Sequence, residues 1–156
     1  MGRHLESVYA SMEQLSSKAA RILAPAPRAM TDVTGFGLAG HLVSLCEASG
    51  VAARTRLSDV PFLPGAEALT DKGIHSSLYM DNQSVRAKIS ASNDLETSPG
   101  YKLLFDPQTA GGLLAGVRPD QSAAILSKLK EAGFKARLIG EIEDISNSDI
   151  RLYVEG

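Results

Sequence analysis

A chain of 156 residues, 44% hydrophobic and 22% charged, holds enough apolar material for one ordinary globular core. Its net charge of −2 and pI near 5.9 lack the basic surplus of a nucleic-acid reader. No apolar run approaches the roughly 18 residues of a membrane span, and residues 1–12 are too polar for a signal peptide. The single cysteine, Cys46, excludes an internal disulfide framework and a multi-cysteine zinc site. These features point to a cytoplasmic protein that binds neither nucleic acid nor membrane.

In chain order, Leu5, Val8, Met12, Leu15, Ala19 and Ile22 recur at three-to-four spacing and predict one amphipathic helix over residues 5–23. Pro25 and Pro27 stop it. A short strand is expected at residues 28–30. Residues 31–35 then supply capping chemistry for a second helix over 35–49. That helix buries Leu38, Leu42, Leu45 and Cys46, with Gly50 as its left-handed terminus. Residues 51–57 alternate as a strand, with Arg54 and Arg56 opposite Val51, Ala53, Thr55 and Leu57. A short helix at 65–71 closes at Gly73. The Ser-, Asn- and Asp-rich residues 90–100 read as an exposed loop, and 101–105 as a strand. After the Asp106-Pro107 turn come a strand at 112–117 and a helix opened by Pro119, whose stripe is Ile125, Leu126, Leu129 and Ala132. Strands at 134–142 and 150–154 finish the chain. This mixture predicts an α/β or α+β fold, a mixed sheet with packed helices, in a single domain over residues 1–156.

Two stretches carry chemistry. Thr31-Asp32-Val33-Thr34-Gly35-Phe36-Gly37-Leu38 sets a carboxylate, hydroxyls and two glycines between a strand end and a helix N-terminus, with His41 three residues on. Exposed amides there suit phosphate, glycines allow close approach, and a carboxylate can hold a magnesium ion that also touches phosphate oxygens. Taken alone, the residues favour the plainer reading in which Asp32 or Thr34 only caps the helix and the glycines relieve crowding, because capping residues are far commoner than metal ligands. In Phe105-Asp106-Pro107-Gln108-Thr109-Ala110-Gly111-Gly112-Leu113-Leu114, paired glycines in a turn are compatible with a bulged hairpin or with backbone passing close to another segment.

Together, TDVTGFGL with its following His41 and the later FDPQTAGGLL resemble the selenophosphate synthetases, or selenide, water dikinases, and Phe62-Leu63-Pro64-Gly65-Ala66 between them matches a third family segment. Closing residues Ile139-Gly140-Glu141-Ile142 fit the same C-terminal half. The family resembles aminoimidazole ribonucleotide synthetase in having two α/β domains. The resemblance therefore implies that this chain is a C-terminal domain. An N-terminal domain absent from it would carry the nucleophilic cysteine or selenocysteine, its lysine, a glycine-rich segment and further metal-binding aspartates. The implied reaction joins ATP, selenide and water to give selenophosphate, AMP and phosphate with Mg2+, in a full-length homodimer. By motif matching, Asp32 would be a metal ligand, and Thr31, Thr34, Gly35 and Gly37 would shape the ATP rim. No catalytic residue is implied in this chain, which alone would be inactive. Gln108, Thr109, Gly111 and Gly112 serve either that rim or packing. Gly73-Ile74-His75-Ser76-Ser77-Leu78 is similar to a branch fused to a flavin-dependent redox domain.

Cys46 and His41 read as structural, buried and hydrogen-bonded respectively, and His4 and His75 as solvated. Arg54 and Arg56 either face phosphates or line the open side of a sheet. Two alternatives remain: a related ATP-dependent synthetase or kinase of the same superfamily, and a non-catalytic docking module.

Overall fold

A computed structural model describes residues 2–145 and 148–156, with side chains from Glu6 onward. The expected first helix is two: α1 (Gly2–Glu13) and α2 (Ser17–Leu23). The break spans Gln14 to Ser16, beside the Ser16-Ser17 pair, a residue type that weakens a helix interior. Packing explains which part of the stripe is used. Ala19 and Leu23 of α2 are buried beside Leu129, whereas Met12 and Leu15 are 46% and 78% exposed. Leu5 and His4 lie outside the described side chains.

Strand β1 (Pro27–Asp32) runs two residues past the expected end and alternates half-buried with exposed, so Arg28, Met30 and Asp32 share the open face. Helix α3 (Gly37–Ser49) buries Ala39, Leu42, Val43 and Cys46, with Leu38 and Leu45 half-buried, and Gly50 closes it at φ +65°. Its start is later than the sequence suggests, and no side chain caps it.

Then follow β2 (Val51–Arg56), α4 (Ala66–Asp71), α5 (Tyr79–Asn82), β3 (Ile89–Ser90), α6 (Asn93–Thr97) and α7 (Pro99–Leu103). Residues 90–100 are thus not a loop, and 101–105 are not a strand. Ser98 decides the second point: its hydroxyl accepts the Tyr101 N–H at 3.2 Å, with Pro99 in the first helical position. Tyr101, Leu104 and Phe105 then fall at helical spacing, and all three are buried. Ser92 caps α6 in the same way, accepting from Leu95 N–H at 3.4 Å.

The chain ends with β4 (Leu113–Val117), α8 (Pro119–Glu131), β5 (Gly140–Asp144) and β6 (Leu152–Glu155). Residues 134–139 form no strand, because β2 offers β5 only the ladder from Thr55↔Gly140 to Val51↔Asp144. One mixed sheet has the order β3-β6-β2-β5, with β2 antiparallel to β5 and parallel to β6. The other is an antiparallel ribbon of β1 and β4, not a hairpin around residues 106–112. The main core lies between α3, the four-stranded sheet and α7, and includes Val43, Cys46, Ala53, Leu104, Phe105 and Leu152. The expected mixed sheet with packed helices is what the chain forms.

Candidate functional site

The two sequence motifs meet. The β1–β4 ladder pairs Asp32 with Leu113 and Thr31 with Leu114, and beyond its end Val33 N–H donates to the Gly112 carbonyl at 2.9 Å. Gln108 N–H donates to the Thr34 carbonyl at 3.0 Å. The approach is close enough to dictate residue type: a Cβ on Gly111 would lie 2.0 Å from the Val33 oxygen. Gly37 takes φ +68°, and a Cβ there would lie 2.8 Å from the Leu104 carbonyl oxygen. Both glycines are therefore seams between segments. At Gly35 and Gly112 a Cβ would meet nothing within 4 Å.

A buried side chain fastens the seam. Asn82 donates through Nδ2 to the Gly35 carbonyl at 2.8 Å and to the Phe105 carbonyl at 2.9 Å, one in each motif. Sequence reasoning overlooked Asn82, since its partners lie 47 and 23 residues away. His41 holds the first motif from within. Its Nε2 accepts the Thr34 N–H at 2.9 Å and lies 3.2 Å from Thr34 Oγ1, while its ring tilts against Phe36 at 5.6 Å. An Nε2 that accepts an N–H carries a lone pair, which assigns the ring proton to Nδ1.

Beside this seam lies an open groove of about 510 Å³, inside the roughly 300–1,000 Å³ range of small-ligand sites. Met30, Thr31, Asp32 and Thr34 line it from β1 and the segment after it, and Thr109, Ala110, Gly111 and Leu113 from the second motif. Gln14 and Ser16 complete it from the break between α1 and α2, a contribution that a continuous helix had hidden from sequence reasoning. Asp32 is the sole charged residue among the lining residues described. It is exposed and, with Thr34, makes no cap for α3, so the capping explanation of the motif does not hold. Gly35 and Gly37 shape the backbone behind the groove rather than its lining.

Residues 4–152 match the family described as AIR synthase related protein, C-terminal domain. The chain belongs to that family. Among curated relatives of this AIR synthase related domain, the selenide, water dikinase of Citrifermentans bemidjiense is 36% identical over 89% of the chain. That of Pseudomonas putida is 43% identical over 74%. The chain spans only 40% and 33% of their respective lengths. The likeness to selenide, water dikinases expected from the motifs is thus borne out. Among solved structures, Escherichia coli HypE, a hydrogenase maturation protein, superposes with a TM-score of 0.62 at 16% identity, covering 90% of this chain and 36% of its own. Thiamine-monophosphate kinase from Stenotrophomonas maltophilia superposes with a TM-score of 0.52 at 18% identity, covering 86% and 33%. These two likenesses concern the fold.

The donor set lining the groove of this AIR synthase related domain combines one carboxylate with threonine hydroxyls. Among the described residues no three His, Cys, Asp or Glu side chains gather in a metal-holding cluster. A lone carboxylate with hydroxyls around it fits magnesium, which commonly keeps water and takes one or two carboxylates plus substrate phosphates. It does not fit a closed zinc site.

Other candidate groups are occupied elsewhere. Arg54 pairs with Glu143 at 3.1 Å and Glu155 at 2.5 Å and lies over the Tyr153 ring, so it does not serve the groove. Arg56 pairs with Asp59 at 2.7 Å. His75 is exposed but stacks on Tyr79 at 4.0 Å. Cys46 is buried, and desolvation pushes its thiol up to about 11, against a small opposing pull from Arg151, which suits packing and not nucleophilic chemistry. No helix among the described residues is long and apolar enough to cross a membrane.

Proposed function

We propose that this chain serves as the C-terminal domain of a selenide, water dikinase, contributing one wall of the site where ATP, selenide and water yield selenophosphate, AMP and phosphate. The observation that carries the reading is the seam: two family motifs separated by about seventy residues close on one groove, with the Asp32 carboxylate at its edge. Asp32 would ligate Mg2+, which when bound neutralises charge on the nucleotide phosphates. Thr31 and Thr34 offer hydroxyl oxygens beside it. Gly37 and Gly111 let the backbone close up behind it, and His41 with Asn82 keeps Thr34 and Gly35 in register. Among the described lining residues none is a cysteine, lysine or histidine that could act as a nucleophile in phosphoryl or selenium chemistry. The reading therefore assigns the reacting cysteine or selenocysteine to an N-terminal domain, in a cytoplasmic homodimeric enzyme.

The test is a chimera in which this chain replaces the matched C-terminal part of the Citrifermentans bemidjiense relative. The chimera is expected to form AMP and selenophosphate, and the 156-residue chain alone to form neither. A correctly folded chimera without turnover would reject the reading. The docking-module alternative has one observation in its favour: Tyr9 and Met12 of α1, with Leu15 just beyond it, are exposed at 62%, 46% and 78%. It predicts a chimera whose turnover ignores substitution of Asp32.

A further inference from the structure

We infer that Tyr9 and Met12 of α1, with Leu15 just beyond it, form the seat on which an N-terminal domain of the same polypeptide docks, at the edge of the groove. The inference rests on the reading of this chain as a C-terminal domain and adds the surface that the preceding domain uses. Its starting point is a helix without a core. α1 runs for 12 residues, yet none of its described side chains is buried, and only Ser7 and Val8 are half-buried. A helix of that length is marginal in water unless a packed face supports it. Tyr9 and Met12 stand three positions apart and therefore share a face, and both are exposed. The apolar stripe of the sequence is present on α1 but left uncovered.

Size and position choose the occupant. Tyr9, Met12 and Leu15 together expose on the order of 350 Å², well short of the roughly 800 Å² per partner of a stable interface. A patch that small does not hold a free partner or a second copy. It suffices for a domain on the same polypeptide, whose effective concentration is on the order of millimolar. The matched family is described as a C-terminal domain, and the two selenide, water dikinases related to it are more than twice as long as this chain. A preceding domain joins at α1, the first element, so the stripe is the apolar surface nearest that junction in sequence. The stripe is also continuous with the groove, because Leu15 lies between Gln14 and Ser16, both of which line it. A domain seated on Leu15 abuts the groove, where the reading needs the reacting group that the lining lacks.

The experiment compares amide hydrogen exchange in the 156-residue chain with that in the chimera carrying the N-terminal part of the Citrifermentans bemidjiense relative. Protection of residues 6–13 should rise at least about a hundredfold in the chimera, as for a fraying helix drawn into a cooperative unit. Met12→Lys combined with Leu15→Lys should return it to the level of the isolated chain and lower AMP formation. In the isolated chain the same pair, at exposed positions, should leave Val43 and Cys46 protected, which separates undocking from misfolding. Equal α1 protection in the two proteins, with turnover intact, would overturn the seat and leave the C-terminal-domain reading standing. Protection in the isolated chain that rises with its concentration and disappears in Leu15→Lys would overturn the seat in favour of a second copy. Raised protection in a chimera without turnover would support the seat and reject the catalytic reading.

Discussion

Replacing Gly111 with alanine tests the seam on which the groove depends. The added methyl group would lie 2.0 Å from the Val33 oxygen and 3.1 Å from Gln108 Cβ, and the first obstacle is backbone. The φ of Gly111 is not positive, so the penalty is steric and relief requires the two segments to part. Parting them forfeits the Val33-to-Gly112 and Gln108-to-Thr34 hydrogen bonds, at about 1 kcal/mol each. Residual overpacking strain adds about 1–3 kcal/mol. The expected loss is therefore about 3–5 kcal/mol, which for a chain of this size lowers Tm by roughly 10 °C. Gly112→Ala is the internal control, because its methyl group meets nothing within 4 Å. It should be neutral or stabilise by about 0.5 kcal/mol through the unfolded state. Urea unfolding of both variants gives the difference, and amide exchange should show Val33 and Gln108 losing protection in Gly111→Ala alone. Equal stability of the two variants, with both amides still protected, would refute the close approach.

Asn82→Ala leaves the Gly35 and Phe105 carbonyls without their shared donor and should cost about 2–3 kcal/mol by urea unfolding. Asn82→Asp should cost more, since a carboxylate then faces two carbonyl oxygens. Ser98→Ala removes the cap of α7 and should cost about 1 kcal/mol. Cys46 predicts a pH effect. Its thiol is raised by burial from 9.0 to about 11 in the folded chain, so above pH 9.0 the unfolded thiol ionises first. Its contribution is full below pH 9.0 and lost as pH rises towards 11, by about 3 kcal/mol in all. Cys46→Ser should remove that slope from chemical denaturation measured between pH 8 and pH 11.

Much of the fold was legible because its signals are local. β1, the Gly50 terminus of α3 and the Pro119 start of α8 were each marked by residues within a turn of the event. Where the sequence misled, a short apolar run could serve two periods. Residues 101–105 read as a strand until Ser98 and Pro99 are seen as a helix start, a signal that was present and underweighted. The break at Ser16 was obscured by a stripe that continues across it in sequence though not in packing. The site was half legible. Its motifs, read alone, favoured a helix cap at Asp32 or Thr34, a role that the uncapped start of α3 excludes, and only the family resemblance raised Asp32 to a candidate ligand. Asn82 could not be found that way, because its carbonyl partners lie 47 and 23 residues away, and Gln14 and Ser16 were hidden because a continuous helix was expected where they line the groove.

The assignment of Asp32 is tested most directly by titrating magnesium into the chimeric enzyme with and without Asp32→Asn. Loss of a direct ligand should raise the magnesium concentration for half-maximal selenophosphate formation by about tenfold or more, beyond the usual effect of losing an outer partner. An unchanged magnesium requirement at unchanged turnover would contradict the metal role of Asp32.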